Sequence, residues 1–195
     1  MKVEPVVLTG KHVRLEPLSE QHVAGLAVAG QDASIWRWMP YGDVNSQEKM
    51  QQWVANILAH KAEGTDQPFV VIHLASGKIA GSTRYMEIRP AHRGLEIGGT
   101  WYATEFQRTA VNTEAKYLLL CQAFEVLGCI RVQLKTDLRN ERSQKAIERI
   151  GAVREGVLRN HMILPDGRTR DSVYFSILDR EWPAVKTHLQ ELLAA

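Results

Sequence analysis

Hydrophobic and polar positions follow two different periods along the chain, which predict helices and strands in alternating blocks. Helical spacing of apolar residues, or a capping residue followed by a glycine stop, predicts five helices, at 19–30, 45–64, 113–128, 140–151 and about 179–193. Alternation of apolar and polar residues predicts about seven strands, one in each of 11–18, 94–103 and 129–138 and two in each of 68–88 and 152–178.

Turn residues and element order organise these blocks into one predicted domain. Ser76-Gly77 and Asp166-Gly167 divide the two-strand segments into hairpins. The order strand, helix, strand, helix between 94 and 151 predicts parallel strands joined by right-handed crossovers. We therefore expect a single α/β domain over 1–195, with a mixed central sheet flanked by helices, a core of about 12–178 and a C-terminal helix of about 179–193.

Composition and charge exclude several classes of protein. The 24 basic and 22 acidic residues leave a formal charge of +2, which favours neither a nucleic-acid partner nor a membrane surface. No apolar segment has the length of a membrane span, and the N-terminal residues lack the apolar region of a signal peptide. Cys121 and Cys129 fall in one predicted helix, too far apart for a disulfide, and no ligand spacing predicts a metal site. A reduced, cytoplasmic protein is expected.

The stretch 105–120, EFQRTAVNTEAKYLLL, joins a polar loop to a helical pattern. Unpaired N–H groups and the helix dipole make a helix N-terminus suited to bind an anion, and Arg108 would add a charge. Asn112 or Thr113 would cap the helix or bind a phosphate oxygen. An ordinary capped core helix fits the same residues, so this stretch alone decides neither interpretation.

A double glycine, Gly98-Gly99, lies inside the strand that precedes this stretch. Glycine within a strand indicates a bulge or a place where another group approaches the backbone closely.

Several linked motifs resemble those of the GNAT superfamily of N-acetyltransferases. Gln107, Ala110 and Asn112 fall on the superfamily's Q/R-x-x-G-x-G/A loop, and the following Thr-Glu-Ala resembles the start of its helix. The segments LEIGGTWYATEFQ, AFEVLGCIRV and NERSQKAIERIGA are similar to a strand, a helix end and an N-x-x-S helix of that superfamily. The branch resembled is that of the ribosomal-protein-alanine acetyltransferases.

The resemblance implies that acetyl-CoA is the acetyl donor and assigns its contacts. These would be Trp101, Tyr102, Gln107, Arg108, Thr109, Ala110, Val111, Asn112, Thr113, Asn140 and Ser143. Three positions depart from the pattern: Ala110 and Asn112 replace glycine-type residues, and Ile147 stands where many members have a tyrosine acid. Arg142, Lys145 and Arg149 form a basic helix face that either meets the nucleotide phosphates or faces solvent.

The resemblance also implies direct attack of an amine on the thioester in a ternary complex. Glu96 is the predicted general base, with a role as a strand-rim residue as the alternative. Backbone N–H groups near Gly99 to Tyr102 would polarise the carbonyl, because a bulge frees donors there. Ser143 would protonate the thiolate unless it is a surface serine. Asn140 would both cap its helix and bind the pantetheine arm.

The predicted activity is acetyl transfer to a primary amine of a protein N-terminus, an amino acid or a small molecule. Two alternatives remain: a non-catalytic acyl-CoA-binding regulatory domain, and a phosphate-binding module for another nucleotide. His161 lies on the late hairpin, which would line the acceptor cleft. Exposed sheet edges beside that hairpin make a homodimer a further expectation.

Overall fold

One open sheet of eight strands passes through the molecule in the computed structural model, which describes residues 1–195. The strands are β1 Leu8–Thr9, β2 Val13–Pro17, β3 Gln67–His73, β4 Ile79–Arg89, β5 Gly94–Tyr102, β6 Arg131–Asp137, β7 Val153–Ile163 and β8 Thr169–Leu178. The helices are α1 Val23–Ala29, α2 Gln47–Ala62, α3 Ala110–Cys121, α4 Glu141–Arg149 and α5 Trp182–Ala194. No helix is long and apolar enough to cross a membrane.

The sheet is mixed, in the order β1-β2-β3-β4-β5-β6-β8-β7. Only β5 and β6 form a parallel pair, with α3 as the crossover between them. The second predicted crossover does not give an adjacent pair, because β8 lies between β6 and β7 and is antiparallel to both. The eighth strand, β1, has two residues, which is too short to produce an alternating pattern.

Helices cover both faces of the sheet. On one face the Tyr85 hydroxyl of β4 donates to the Leu119 carbonyl of α3 at 2.6 Å. On the other face Trp53 of α2 packs edge-on against Trp101 of β5, with ring centroids 6.0 Å apart. The direction of each contact follows from strand geometry, since successive side chains point to opposite faces.

The end of α3 differs from the expected single helix through residue 128. After Cys121 the chain forms one π-helical turn, Gln122–Val126, and Gly128 stops it with φ +66°. Cys129 therefore lies beyond the helix, and the prediction that both cysteines share one helix is wrong. Both thiols are free, as expected.

A buried carboxylate of α3 fastens the N-terminal turn to the core. Glu114 accepts the backbone N–H groups of Lys11, His12 and Val13 at 2.8, 2.6 and 2.7 Å. A side chain at Gly10 would overlap this carboxylate, since a Cβ there would lie 2.4 Å from its carbon. The Thr-Glu-Ala segment thus has a structural role in joining β1 and β2 to α3.

Candidate active site

The central cleft opens where the two parallel strands separate. β5 and β6 pair only from Gly94 with Arg131 to Glu96 with Gln133. Beyond Glu96 the strands diverge, and residues 97–102 and 134–136 form opposite walls of a cleft of about 1090 Å³. A gap of this kind exposes side chains and backbone that a continuous sheet would cover.

A bulge in β5 shapes one wall of this cleft. Trp101 pairs with Ser82 and Gly98 with Arg84, so Gly99 and Thr100 together face the single residue Thr83. Gly99 has φ +58°, a conformation that favours glycine. The bulge predicted from the double glycine is present.

The N-terminus of α3 borders the cleft. The helix begins at Ala110, and Thr109 caps it by accepting the Val111 N–H at 3.3 Å. Asn112 and Thr113 lie inside the first turn, so the prediction that one of them caps the helix is wrong. The helix starts earlier because the Thr109 hydroxyl also donates to the Phe106 carbonyl at 2.7 Å, which fixes the loop before it.

Most of the predicted loop residues line the cleft, but they do so differently. Gln107 braces the loop, since its amide nitrogen donates to the Tyr102 carbonyl at 3.0 Å. Arg108 takes a left-handed conformation, with φ +61°, whereas Ala110 and Asn112 do not, so their Cβ atoms impose no such strain. Val111 turns its side chain into the hydrophobic core.

Helix α4 forms the facing side of the same opening. Asn140 caps it by accepting the Ser143 N–H at 3.1 Å, as predicted, and both residues line the cleft. Two arginines of α4 reach across to the α3 side: Arg142 donates to the Gln107 side-chain oxygen at 2.9 Å and Arg149 to the Thr113 hydroxyl at 3.2 Å.

The basic face of α4 therefore turns toward the cleft. Arg142, Lys145 and Arg149 line it together with Arg108 from the loop before α3. Four basic side chains beside a helix N-terminus are well suited to hold a multiply charged anion such as a diphosphate.

Glu96 lies at the point where β5 and β6 separate. Its side chain is 1% exposed, so the alternative of a strand-rim residue is wrong. One carboxylate oxygen lies 3.2 Å from the Lys135 ammonium and accepts the Gln133 amide N–H at 2.9 Å. The neighbouring ammonium favours the ionised carboxylate, which is the form that a general base requires.

The aromatic residues of β5 are mostly buried in the sheet. Trp101 packs against Trp36, with centroids 4.9 Å apart, and against Trp53. Tyr102 has a buried hydroxyl without a hydrogen-bond partner, and burial raises its pKa well above the ordinary range. This hydroxyl therefore stays protonated, and both residues contribute to the cleft wall.

Several functional candidates have no recognisable sequence motif. Lys116 of α3 lines the cleft, although its side chain is buried, and donates to the Thr100 hydroxyl at 2.6 Å. Burial lowers its pKa to about 7. The available signal was a lysine among the apolar positions of an otherwise hydrophobic helix face.

The other side of the cleft holds a second polar group. Arg84 forms a buried ion pair with Asp66, at 3.1 Å, and donates to the Tyr41 hydroxyl at 2.9 Å. Arg170 of β8 also lines the cleft. These residues come from four separate segments, so no sequence spacing connects them.

His161 belongs to the hairpin beside this group. Its two ring nitrogens lie 3.0 Å from the Ser172 hydroxyl and 3.2 Å from the Tyr174 hydroxyl. Burial lowers the pKa of His161, and the charges of Lys135 and Arg170 lower it further, which favours the neutral ring. With both nitrogens engaged, the side chain braces the hairpin.

A mixed sheet that opens at its parallel pair, with a bulged strand and a basic helix N-terminus at the opening, defines an α/β protein that binds an anionic ligand across the gap. Residues 12–153 match the family described as "Acetyltransferase (GNAT) domain". The chain therefore belongs to the GNAT acetyltransferase family, as the sequence motifs predicted, and the predicted single α/β domain is confirmed.

Similar proteins and solved structures agree with this assignment. The chain is 35% identical over 113 residues to the Bacillus subtilis (strain 168) protein named "Putative ribosomal N-acetyltransferase YdaF". That match covers 58% of this chain and 61% of the relative, so the chain matches about three fifths of the relative's length.

Two crystal structures match nearly the whole chain. A GCN5-related N-acetyltransferase from Brucella melitensis is 34% identical with a TM-score of 0.93, covering 99% of this chain and 87% of that one. An acetyltransferase structure from T. thermophilus is 40% identical with a TM-score of 0.90, covering 99% of this chain and 100% of that one.

Proposed function

We propose that the protein transfers an acetyl group from acetyl-CoA to a primary amine, by direct attack within a ternary complex. The observation that carries this proposal is the position of Glu96. Its buried carboxylate lies where β5 and β6 separate, between the basic opening at α3 and the polar group around Arg84.

The GNAT family uses acetyl-CoA as its acetyl donor, and acetyl-CoA supplies a thioester whose acetyl carbon an amine can attack. The residues of this chain fit such a donor. The free N–H groups at the start of α3 and the side chains of Arg108, Arg142, Lys145 and Arg149 would hold the pyrophosphate. The predicted contacts of Asn140, Trp101 and Tyr102 would lie along the pantetheine arm in the gap.

Glu96 would accept the proton of the attacking amine, directly or through a water molecule. Only the unprotonated amine is nucleophilic, so a carboxylate at the meeting point of the two half-sites lowers the barrier to attack. Lys135 and Gln133 hold this carboxylate in place.

The carbonyl and the leaving thiolate need separate partners. Backbone N–H groups at the β5 bulge, from Gly99 to Trp101, would polarise the carbonyl, because a bulge interrupts the pairing of strand donors. Ser143 would donate a proton to the thiolate, since Ile147 occupies the position of the tyrosine acid found in many family members. Asn140 fixes the start of the helix that carries this serine.

The acceptor would enter from the side of Tyr41 and Arg84, opposite the basic opening. Because YdaF is named as a ribosomal acetyltransferase, a protein N-terminus belongs among the candidate acceptors, with amino acids and small amines. A cytoplasmic location remains the prediction made from the sequence.

Substitution of the proposed base and acid tests this mechanism. Glu96→Gln should lower kcat by roughly 10²–10⁴-fold with amine acceptors, and Ser143→Ala should lower it as well. The rise in melting temperature at saturating CoA should remain, because neither change removes a phosphate contact. Glu105→Gln and Ser76→Ala, at exposed positions that do not line the cleft, are the matched controls.

Thiol release and thermal shifts together separate the alternatives. Unchanged turnover in Glu96→Gln would refute the role of the base. A rise in melting temperature with CoA, but no acetylation across a panel of peptides, amino acids and amines, would favour the non-catalytic binding domain. Protection by ATP or NAD instead of CoA would favour the module for another nucleotide.

A further inference from the structure

The guanidinium of Arg170 is a buried charge without a paired anion. The residue is 5% exposed, and its Nε donates to the Ser172 hydroxyl at 3.1 Å. No carboxylate lies within 4.0 Å of it, so it forms no ion pair. Placing a cation in such surroundings is costly unless an anion compensates it.

The nearby carboxylates are already engaged by other cations. Asp66 pairs with Arg84 at 3.1 Å and Glu96 with Lys135 at 3.2 Å.

Asp137 is the remaining buried carboxylate that acts on Arg170, and it accepts the Arg139 backbone N–H at 2.8 Å. Its side chain lies 3.6 Å from the Arg139 guanidinium and makes no ion pair with Arg170. Thus Arg170 is compensated only at a distance, and its side chain lines the cleft.

Two further donors lie in the same part of the cleft. The Nη1 group of Arg84 is buried and has no hydrogen-bond partner. The Tyr41 hydroxyl accepts from Arg84 Nη2 at 2.9 Å, which leaves its own proton free to donate. Arg170, Arg84 and Tyr41 line the cleft that also contains Glu96.

We propose that this group is a carboxylate subsite, with Arg170 as its anchor, and that the acceptor is a primary amine that carries a carboxylate. The inference rests on the proposed acetyl transfer, because it assigns the acceptor half of the same cleft. An acceptor bound in this way has its carboxylate at Arg170 and its amine toward Glu96. The carboxylate could come from a free amino acid or from an acidic residue near a peptide N-terminus.

Matched acceptor pairs test the subsite in the unmodified protein. Amino acids are compared with their carboxamides, and peptides with Asp or Glu at the second position with the same peptides carrying Asn or Gln. We expect kcat/KM to be roughly 10- to 100-fold higher for the carboxylate member of the preferred pair, mainly through KM, because an arginine–carboxylate contact is charge-assisted. The pair that shows the difference identifies the source of the carboxylate. Equal use of both members in every pair would overturn the proposal.

Variants then connect this selectivity to one residue. Arg170→Gln should abolish the preference, with little change for the neutral acceptors, and Arg170→Lys should restore part of it. Arg168→Gln is the control, because Arg168 lies in the neighbouring turn and pairs with Asp166 outside the cleft. An equal loss for charged and neutral acceptors in Arg170→Gln would show a merely structural role and contradict the proposal.

A binding measurement keeps the subsite testable if no acceptor is acetylated. An N-acetylated amino acid, compared with its carboxamide, should raise the melting temperature of the unmodified protein and of Arg168→Gln. The rise should disappear in Arg170→Gln, whose melting temperature must still respond to CoA. Selective stabilisation without turnover would support the subsite and refute acetyl transfer, whereas equal shifts with acid and amide would refute the subsite.

Discussion

Lys116 presents an unusual chemical situation at the scale of a single residue. Its ammonium group would be desolvated beside the bulge of β5, where only the Thr100 hydroxyl, at 2.6 Å, and the more distant Thr83 hydroxyl, at 3.5 Å, lie within reach. Burial lowers its pKa from 10.5 to about 7, so near neutral pH the amine is protonated in only part of the folded molecules. In the unfolded chain the same amine is fully protonated.

This difference makes the stability of the protein depend on pH. Below pH 7 both states carry the proton, and the folded state bears the full cost of a buried charge. Between about pH 7 and 10.5 the unfolded state binds more protons, so the free energy of unfolding rises with pH. Relative to a Lys116→Met variant, the unmodified protein should gain about 2 kcal/mol between pH 7 and 9. Urea unfolding of both proteins at the two pH values measures this gain.

An exposed lysine provides the comparison for this measurement. Lys49→Met, on the outer surface of α2, should leave the pH dependence of unfolding unchanged. If Lys116→Met and the unmodified protein showed parallel pH profiles, Lys116 would not be the titrating group. Lys116→Met should also be the more stable of the two at pH 7, because it removes a buried charge.

The bulge of β5 connects backbone conformation to the proposed chemistry at the scale of the element. Gly99 needs φ +58°, and a Cβ at this position would lie 2.9 Å from the Arg84 Nε atom. Gly99→Ala should therefore lower the free energy of unfolding by about 2 kcal/mol, from backbone strain and from displacement of Arg84. It should lower kcat by roughly tenfold or more, because the donors at the bulge move.

A second glycine separates backbone strain from the steric contact. Gly167 has φ +80°, but nothing lies within 4 Å of a Cβ built there. Gly167→Ala should cost about 1 kcal/mol and leave kcat unchanged. Equal effects of the two substitutions on stability and on kcat would show that the bulge has no special role.

Local features of these elements could be predicted from the sequence, and contacts between distant segments could not. The bulge at Gly99 and the Asn140 cap follow from residues within a few positions of each other. The Thr109 cap was missed because Asn112 and Thr113 have equally good capping side chains, and the loop that decides between them is held by Phe106. Composition at one position does not encode which of several candidates the fold selects.

Nonlocal pairing explains the remaining differences. The position of β8 between β6 and β7 depends on pairings over the whole C-terminal region, which no period of two residues specifies. The engagement of Glu96 by Lys135, and the isolation of Arg170, appear only after β5, β6 and β8 are side by side. Family resemblance supplied the site, because its motifs record such contacts indirectly.

The two edges of the sheet differ at the scale of the whole molecule. β1 forms one edge with two residues, whereas β7 forms the other with eleven. Leu158 and Ile163 of β7 are large apolar residues, with exposures of 49% and 78%. Long edge strands with exposed apolar side chains favour association with another chain. Register shifts interrupt β7 after Arg154 and after Leu158, so side-chain packing would contribute more to such a contact than a continuous strand ladder.

We therefore predict that two copies associate through β7 around a twofold axis. Light scattering of the unmodified protein should give the mass of a dimer, and the double substitution Leu158→Lys, Ile163→Lys should reduce it to that of a monomer. Both side chains are solvent-exposed in the single chain, so the free energy of unfolding of the monomer should change by less than about 1 kcal/mol. Val28→Lys, at a residue of α1 with 69% exposure, tests whether any added charge on an exposed apolar residue dissociates the dimer. A monomeric mass for the unmodified protein, or a dimer that survives the double substitution, would exclude β7 as the interface.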